Sequence, residues 1–375
     1  MSHHVRTPAL FILSVGALGC AGFFRAPLSA PTPTATPTPT PAPEPEAATA
    51  PATIQRGAEI YGRTCAVCHG DAGEGYKADR APALANPAFL ASASDEFLIS
   101  AIADGRAGTT MSAWSARRGG PLTPENMGAL IAFLRTWERG PRAKLDERPA
   151  SGDAVRGAVH YEARCLSCHG EKGVAGPYNN LGAPGYLAGA SNGFLRVAIR
   201  GGRAGTPMPG FADPLGDEGI EDVVALLRRW QAETPAAPPP PPSPGPIPLG
   251  AATINAQGPQ PEGFRPFPAM VSVDAAKAQL DRGARMAFLD ARAPDDYVQE
   301  HIAGAVSVPF YDPGPYLAAL PKDAWLICYC ACPHAESGKL AQKLLDAGFK
   351  TVTVLDEGLI VWKQRGYAVR AGRAP

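Results

Sequence analysis

Net charge is the first thing this 375-residue chain lacks: 35 lysines and arginines stand against 35 aspartates and glutamates, with no basic block. Such a surface does not concentrate a phosphate backbone, which excludes nucleic acid as a partner. Long hydrophobic runs are missing too. The apolar stretch from Ala9 to Leu18 is too short to cross a bilayer as a helix. Histidine is scarce, seven in all, and two of these, His3 and His4, lie in a leader-like start that leaves few imidazoles for metal chemistry. Proline and glycine, by contrast, number 41 each, with proline gathered into two blocks that divide the chain.

Seven of the eight cysteines are clustered, and four of them form two copies of Cys-x-x-Cys-His. These are Cys65-Ala66-Val67-Cys68-His69 and Cys165-Leu166-Ser167-Cys168-His169. The pattern is the signature of covalent haem attachment, because two thiols so spaced bond the two vinyl groups of one porphyrin while the adjacent imidazole reaches the iron. A single copy also suits a zinc half-site or a redox dithiol. The surroundings decide between them, since each motif sits in its own copy of a longer repeat. Arg56-Gly57-Ala58 and Tyr61 precede the first motif as Arg156-Gly157-Ala158 and Tyr161 precede the second. Downstream, Phe97-Leu98 matches Phe194-Leu195, Arg106-Ala107-Gly108-Thr109 matches Arg203-Ala204-Gly205-Thr206, and the copies close on helices ending in Trp137 and Trp230. This is a duplicated domain of about ninety residues.

Each copy resembles the small monohaem cytochrome c domain over its whole length. The resemblance implies a mainly helical fold and two covalently bound haem c groups, held through Cys65, Cys68, Cys165 and Cys168 with His69 and His169 as proximal ligands. It also implies a second axial ligand downstream. Met111 in Gly-Thr-Thr-Met-Ser and Met208 in Gly-Thr-Pro-Met-Pro stand in register for that role. Thioether ligation opposite imidazole favours ferrous iron and raises the potential. Met127, Met270 and Met286 read as core filler, and His160 as a helix-packing residue. The family's proximal imidazole donates to the carbonyl of a downstream proline. Pro82 fits in the first copy, while the second has Asn179 in register and Pro177 nearby.

The N-terminus reads as an export signal over residues 1–20, with Ala17-Leu18-Gly19-Cys20 resembling a bacterial lipobox and Cys20 the residue that would carry lipid. That places the chain on the periplasmic side of a bacterial membrane, where haem attachment of this kind takes place. Residues 21–52 form a proline-threonine spacer that cannot bury a core. Domain boundaries follow at 53–145 and 150–233 for the haem domains, 234–268 for a second proline-rich linker, and 269–372 for a third domain. The short connection between Arg139 and Ser151 packs the haem domains as one unit.

The third domain alternates apolar strands (Met286 to Asp290, Ala324 to Cys328, Val352 to Leu355) with helical stretches, which argues an α/β fold with a parallel sheet. Leu289-Asp290-Ala291-Arg292, Tyr297, Glu300-His301-Ile302-Ala303-Gly304-Ala305-Val306, Leu355-Asp356-Glu357-Gly358 and Trp362 resemble the rhodanese domain in order. That resemblance implies a cysteine at the end of the central strand, in a loop of amides at a helix N-terminus, able to hold a persulfide. Cys330 is the candidate nucleophile, Cys332 the alternative, and Cys328 points into the core. The family's arginine at the loop's end is missing. Glu336 stands about there, a position where a carboxylate repels thiosulfate or phosphate. His334 reads equally as a thiolate partner or a solvated loop residue.

Two functions remain open on the residues. One is a lipid-tethered dihaem electron carrier with an accessory third domain, serving redox proteins of a respiratory or sulfur-oxidation chain. The other is a sulfur-transferring or sulfur-oxidising enzyme in which Cys330 holds sulfur from a small compound and the haems take its electrons. The third domain's chemistry is not established by its fold.

Overall fold

The computed structural model describes residues 51–78, 80–106, 109–174, 176–234, 247, 249–331 and 334–375. Cys20, Cys332, the signal segment and most of both proline blocks lie outside the described residues. The first repeat comprises α1 (Pro51–Thr64), α2 (Ala66–His69), α3 (Pro87–Ser92), α4 (Asp95–Asp104) and α5 (Pro124–Arg135). The second repeats it as α6 (Ala154–Arg164), α7 (Leu166–His169), α8 (Pro184–Gly189), α9 (Asn192–Gly201) and α10 (Ala212–Glu233). Caps recur with the elements: Ser94 accepts from Phe97 N and Ser191 from Phe194 N, each closing a helix start that would otherwise leave an unpaired amide.

The repeated Arg-Gly-Ala now has a physical role. In each copy the first and last helices cross at its glycine, so closely that a Cβ on Gly57 would lie 2.1 Å from Ala129 O and one on Gly157 2.1 Å from Asp222 O. The crossing carries the aromatic lid of each copy, with Tyr61 edge-on to Trp137 at 5.1 Å and Tyr161 to Trp230 at 4.8 Å. The two copies pack on each other through Phe97 and Phe194, whose centroids are 4.9 Å apart, and through Arg106 Nη1 donating to Gly185 O at 2.7 Å.

The C-terminal domain has β1 (Met270–Val271), α11 (Val273–Asp281), β2 (Met286–Asp290), α12 (Pro294–Gln299), β3 (His301–Ile302), β4 (Val306–Ser307), β5 (Trp325–Tyr329), α13 (Ala335–Asp346), β6 (Val352–Leu355), α14 (Gly358–Gln364) and β7 (Val369–Arg370). Five strands form a parallel sheet in the order β1-β6-β5-β2-β4, with Leu289 opposite Cys328 and Asp290 opposite Tyr329. β2 and β5 are buried at every residue, as strands covered on both faces must be. β3 and β7 make a separate antiparallel pair.

Two expectations are corrected here. Met270, read as core filler, is 45 % exposed, because β1 is an edge strand that turns only Val271 inward. The second linker is also shorter than its composition suggests. Ile254 N donates to Met286 O at 2.8 Å, the Phe264 ring meets Trp325 at 5.5 Å and Phe267 N donates to Val352 O at 2.8 Å, so apolar residues within 249–268 anchor that segment to the sheet.

The first repeat also packs on the third domain. Trp114 meets the rings of Phe310 and Tyr311 at 6.3 and 5.5 Å, and Arg118 Nη2 lies 2.9 Å from Asp295 Oδ2.

Candidate functional site

Each Cys-x-x-Cys-His motif closes one turn of helix directly after a long helix, and the two copies are held alike. The hydroxyl of Tyr61 donates to Gly70 O at 2.6 Å and that of Tyr161 to Gly170 O at 2.8 Å. Both glycines sit at positive φ, 82° and 78°, which reverses the chain immediately after the histidine. His69 Nδ1 then donates to Pro82 O at 2.9 Å and His169 Nδ1 to Asn179 O at 3.1 Å. A carbonyl only accepts, so the proton resides on Nδ1 and Nε2 keeps its lone pair for a metal. Asn179 therefore supplies the contact in the second copy, not Pro177. A backbone carbonyl does the work, and the side chain that bears it is immaterial. Burial lowers the pKa of both histidines, which keeps them in the neutral form that ligates. Burial also pushes the Cys65 and Cys165 thiols up to about 11.

The motif cysteines and histidines of both copies line one continuous cleft of about 1240 Å³, together with Met111 and Met208. The methionine turns are superimposable in their bonding: Met111 N donates to Thr109 Oγ1 at 3.1 Å and Met208 N to Thr206 Oγ1 at 3.2 Å. Arg106 N and Arg203 N donate in turn to the carbonyls of Met111 and Met208 at 2.9 and 2.8 Å. Each half thus offers two thiols, a neutral imidazole and a thioether against apolar walls such as Leu98 and Leu130, a donor set that fits haem c. The guanidiniums of Arg106 and Arg203 line the same cleft, 4.8 Å from the Phe97 ring and 5.2 Å from the Phe194 ring. No carboxylate pairs with either among the described residues, and burial lowers the pKa of both. The in-register Arg-Ala-Gly-Thr runs carried the signal for these arginines, but nothing in the run itself said that they face the cleft.

The cysteine loop of the C-terminal domain borders this cleft. Arg292, Ala331 and Glu336 belong to its lining. Cys328 and Cys330 are both fully buried, and Cys330 Sγ lies 3.4 Å from Ser337 Oγ at the start of α13. Glu336 is 8 % exposed, and its pKa is raised well above the carboxylate range by burial and by the neighbouring Cys330 and Asp296. Burial therefore disfavours its charged form, and it does not supply the cation of an arginine. His334 caps α13 at φ 72° with Nε2 3.1 Å from Asp356 Oδ1. The residues that carry the rhodanese resemblance build the scaffold: Arg292 Nη2 pairs with Asp290 Oδ2 at 2.6 Å, Tyr297 OH donates to Ala305 O at 2.8 Å, and Trp362 Nε1 to Ala368 O at 3.0 Å. His160 Nε2 lies 4.0 Å from Asp222 in the α6–α10 contact, and Met127 and Met286 are buried in cores, as read from the sequence.

Family models agree with this division. A cytochrome c model matches residues 54–138, a model of cytochrome c oxidase, cbb3-type, subunit III matches 152–227, and a rhodanese-like domain model matches 272–365. The chain is a tandem cytochrome c protein with a C-terminal rhodanese-like domain. Among its relatives, the cbb3-type cytochrome c oxidase subunit CcoP of Azospirillum brasilense is 28 % identical over 46 % of this chain and 60 % of its own length. Uncharacterized protein slr1261 of Synechocystis is 32 % identical over 26 % of this chain and 54 % of its own length. This chain therefore spans little more than half of either relative. Among solved structures, the rhodanese-like domain of Anabaena Alr3790 is 28 % identical over 27 % of this chain and 78 % of that one, with a TM-score of 0.26. No helix among the described residues is long and apolar enough to cross a membrane.

Proposed function

We propose that this chain carries two haem c groups and passes single electrons between redox proteins of a respiratory chain on the periplasmic side of a bacterial membrane, tethered there through a lipid on Cys20. The observation that carries the reading is the twofold recurrence of one donor set in one cleft. Cys65 and Cys68 would hold the first group with His69 and Met111 as axial ligands; Cys165, Cys168, His169 and Met208 would hold the second. Arg106 and Arg203, lining the cleft without carboxylate partners among the described residues, would face the anionic propionates. Haem iron supplies one-electron chemistry when bound. The protein supplies the neutral, oriented imidazole, the thioether and an apolar surround. Likeness of residues 152–227 to a cbb3-type oxidase subunit supports a respiratory setting.

The test is stoichiometry. Mass spectrometry of the exported holoprotein should show two covalent haems per chain, one after Cys65→Ala/Cys68→Ala and one after Cys165→Ala/Cys168→Ala. A single haem in the wild-type chain would refute the reading. Cys20→Ser should move the protein from the membrane to the soluble fraction.

One observation favours a second reading, haem-coupled sulfur chemistry at Cys330: the loop residues Ala331 and Glu336 border the cleft that holds both haem motifs. Thiosulfate, polysulfide and a persulfide donor distinguish the two. Reduction of the oxidised holoprotein that is abolished by Cys330→Ser supports sulfur chemistry; no reduction by any donor leaves the electron carrier alone.

A further inference from the structure

The two methionine loops have the same turn but different surroundings. In the second copy Met208 is followed by Pro209, whose ring fixes its own φ, and both Pro209 and Gly210 are exposed. In the first copy Ser112 stands in that place. Ser112 has no such restraint, yet it is only 4 % exposed.

The C-terminal domain lies against it on one side and the cleft on another. The Ser112 hydroxyl faces the Asp296 carboxyl on α12. Asp296 Oδ2 is sealed from solvent without a hydrogen-bond partner among the described residues, and Arg292 and the Ser112 hydroxyl are the groups that favour its carboxylate against burial. Two residues on, Trp114 is 6 % exposed between the loop and the rings of Phe310 and Tyr311. Beyond it, Arg118 and Asp295 form an ion pair at 2.9 Å with side chains 6 % and 5 % exposed. Such a pair resists separation, because parting it leaves a buried charge uncompensated. From Ser112 to Arg118 the segment after Met111 is thus fastened to a domain that starts about 150 positions later. The loop after Met208 has no comparable cover, since Pro209 and Gly210 face solvent.

We propose that α12 of the rhodanese-like domain positions the Met111 loop, Asp296 through Ser112 and Asp295 through Arg118, so that the first haem site depends on the C-terminal domain and the second does not. The fold solves one problem twice: the second copy stiffens its ligand loop with a proline, and the first clamps it against a neighbouring domain. Asp295 and Asp296 are positioning residues here, acting on iron only through Met111. This inference rests on the reading of Met111 as an axial ligand.

The experiment uses the full-length holoprotein and reads two midpoint potentials by redox titration, together with the thioether-to-iron absorption band at the red edge of the visible spectrum. Met111→Ala identifies which potential belongs to the first site. Ser112→Ala and Asp296→Ala should each lower that same potential, weaken up to half of the band and leave the other potential in place. The double variant should shift it no further than either single one, because both remove one contact. Ser112→Thr, which keeps the hydroxyl, should restore it. If Asp296→Ala impairs folding, Ser112→Ala carries the test, and Asp296→Asn, which keeps an acceptor for the Ser112 hydroxyl, should leave the first potential in place. Unchanged potentials in Ser112→Ala and Asp296→Ala, or equal movement of both potentials, would overturn the positioning role while leaving Met111 as ligand. No response to Met111→Ala itself would overturn the ligand assignment and the inference together.

Discussion

At the scale of single residues, burial decides the chemistry. Glu336 occupies about the place where the rhodanese family carries an arginine, and from the sequence alone it reads as a repelling carboxylate. The structure buries it beside Cys330 and Asp296, so its pKa rises and its charged form is disfavoured. The folded state then binds that proton more tightly than the unfolded chain does. Stability should fall as pH rises above the ordinary carboxylate range, and level off once pH passes the folded value. Glu336→Gln removes that slope. Relative to wild type it should gain about 1.4 kcal/mol for each pH unit between those limits; thermal melts at a series of pH values check this, and parallel curves for the two proteins would contradict it. The histidine contacts teach the same lesson about legibility. His69 and His169 were plain from their motifs, and Pro82 from its register. That Asn179 would offer its carbonyl to His169 was not, because backbone acceptors leave no trace in residue type.

At the scale of elements, the repeat itself was readable because each repeated residue has a job that few others can do. Gly57 and Gly157 are required where two helices touch backbone to backbone. Gly57→Ala should therefore cost about 1–3 kcal/mol through overpacking of the α1–α5 crossing. Gly62, one and a half turns along the same helix, meets nothing within 4 Å. Gly62→Ala should instead stabilise by about 0.5–1 kcal/mol, since it only removes backbone freedom from the unfolded chain. Calorimetry on the pair separates the two effects, and a loss of stability in both would mean that the crossing is not what constrains Gly57. The strands β2, β5 and β6 were equally legible, as short, largely apolar runs between helical ones. The anchoring of residues 249–268 was not legible, because their proline and glycine content masks the few apolar residues, Ile254, Phe264 and Phe267, that hold them down.

At the scale of the whole molecule, the sequence divides into domains and conceals how they meet. Nothing in Arg118 or Asp295, 177 positions apart, marks them as a pair, yet they form a buried bridge between the first haem domain and the rhodanese-like domain. Arg118→Leu should cost about 3–5 kcal/mol by leaving Asp295 uncompensated, and Arg118→Leu/Asp295→Leu should recover most of it; a calorimetric scan reads both. The same joining of parts puts two haem motifs and the border of a cysteine loop on one cleft. The central claim is that each half of that cleft holds a haem between histidine and methionine. An equilibrium redox titration of the holoprotein tests it most directly. The account predicts two one-electron waves, with Met111→Ala lowering one and Met208→Ala the other, each by a sizeable fraction of the roughly 0.8 V over which axial ligands set haem potentials, and with both haems still attached. A single wave, or two waves that neither substitution moves, would contradict it.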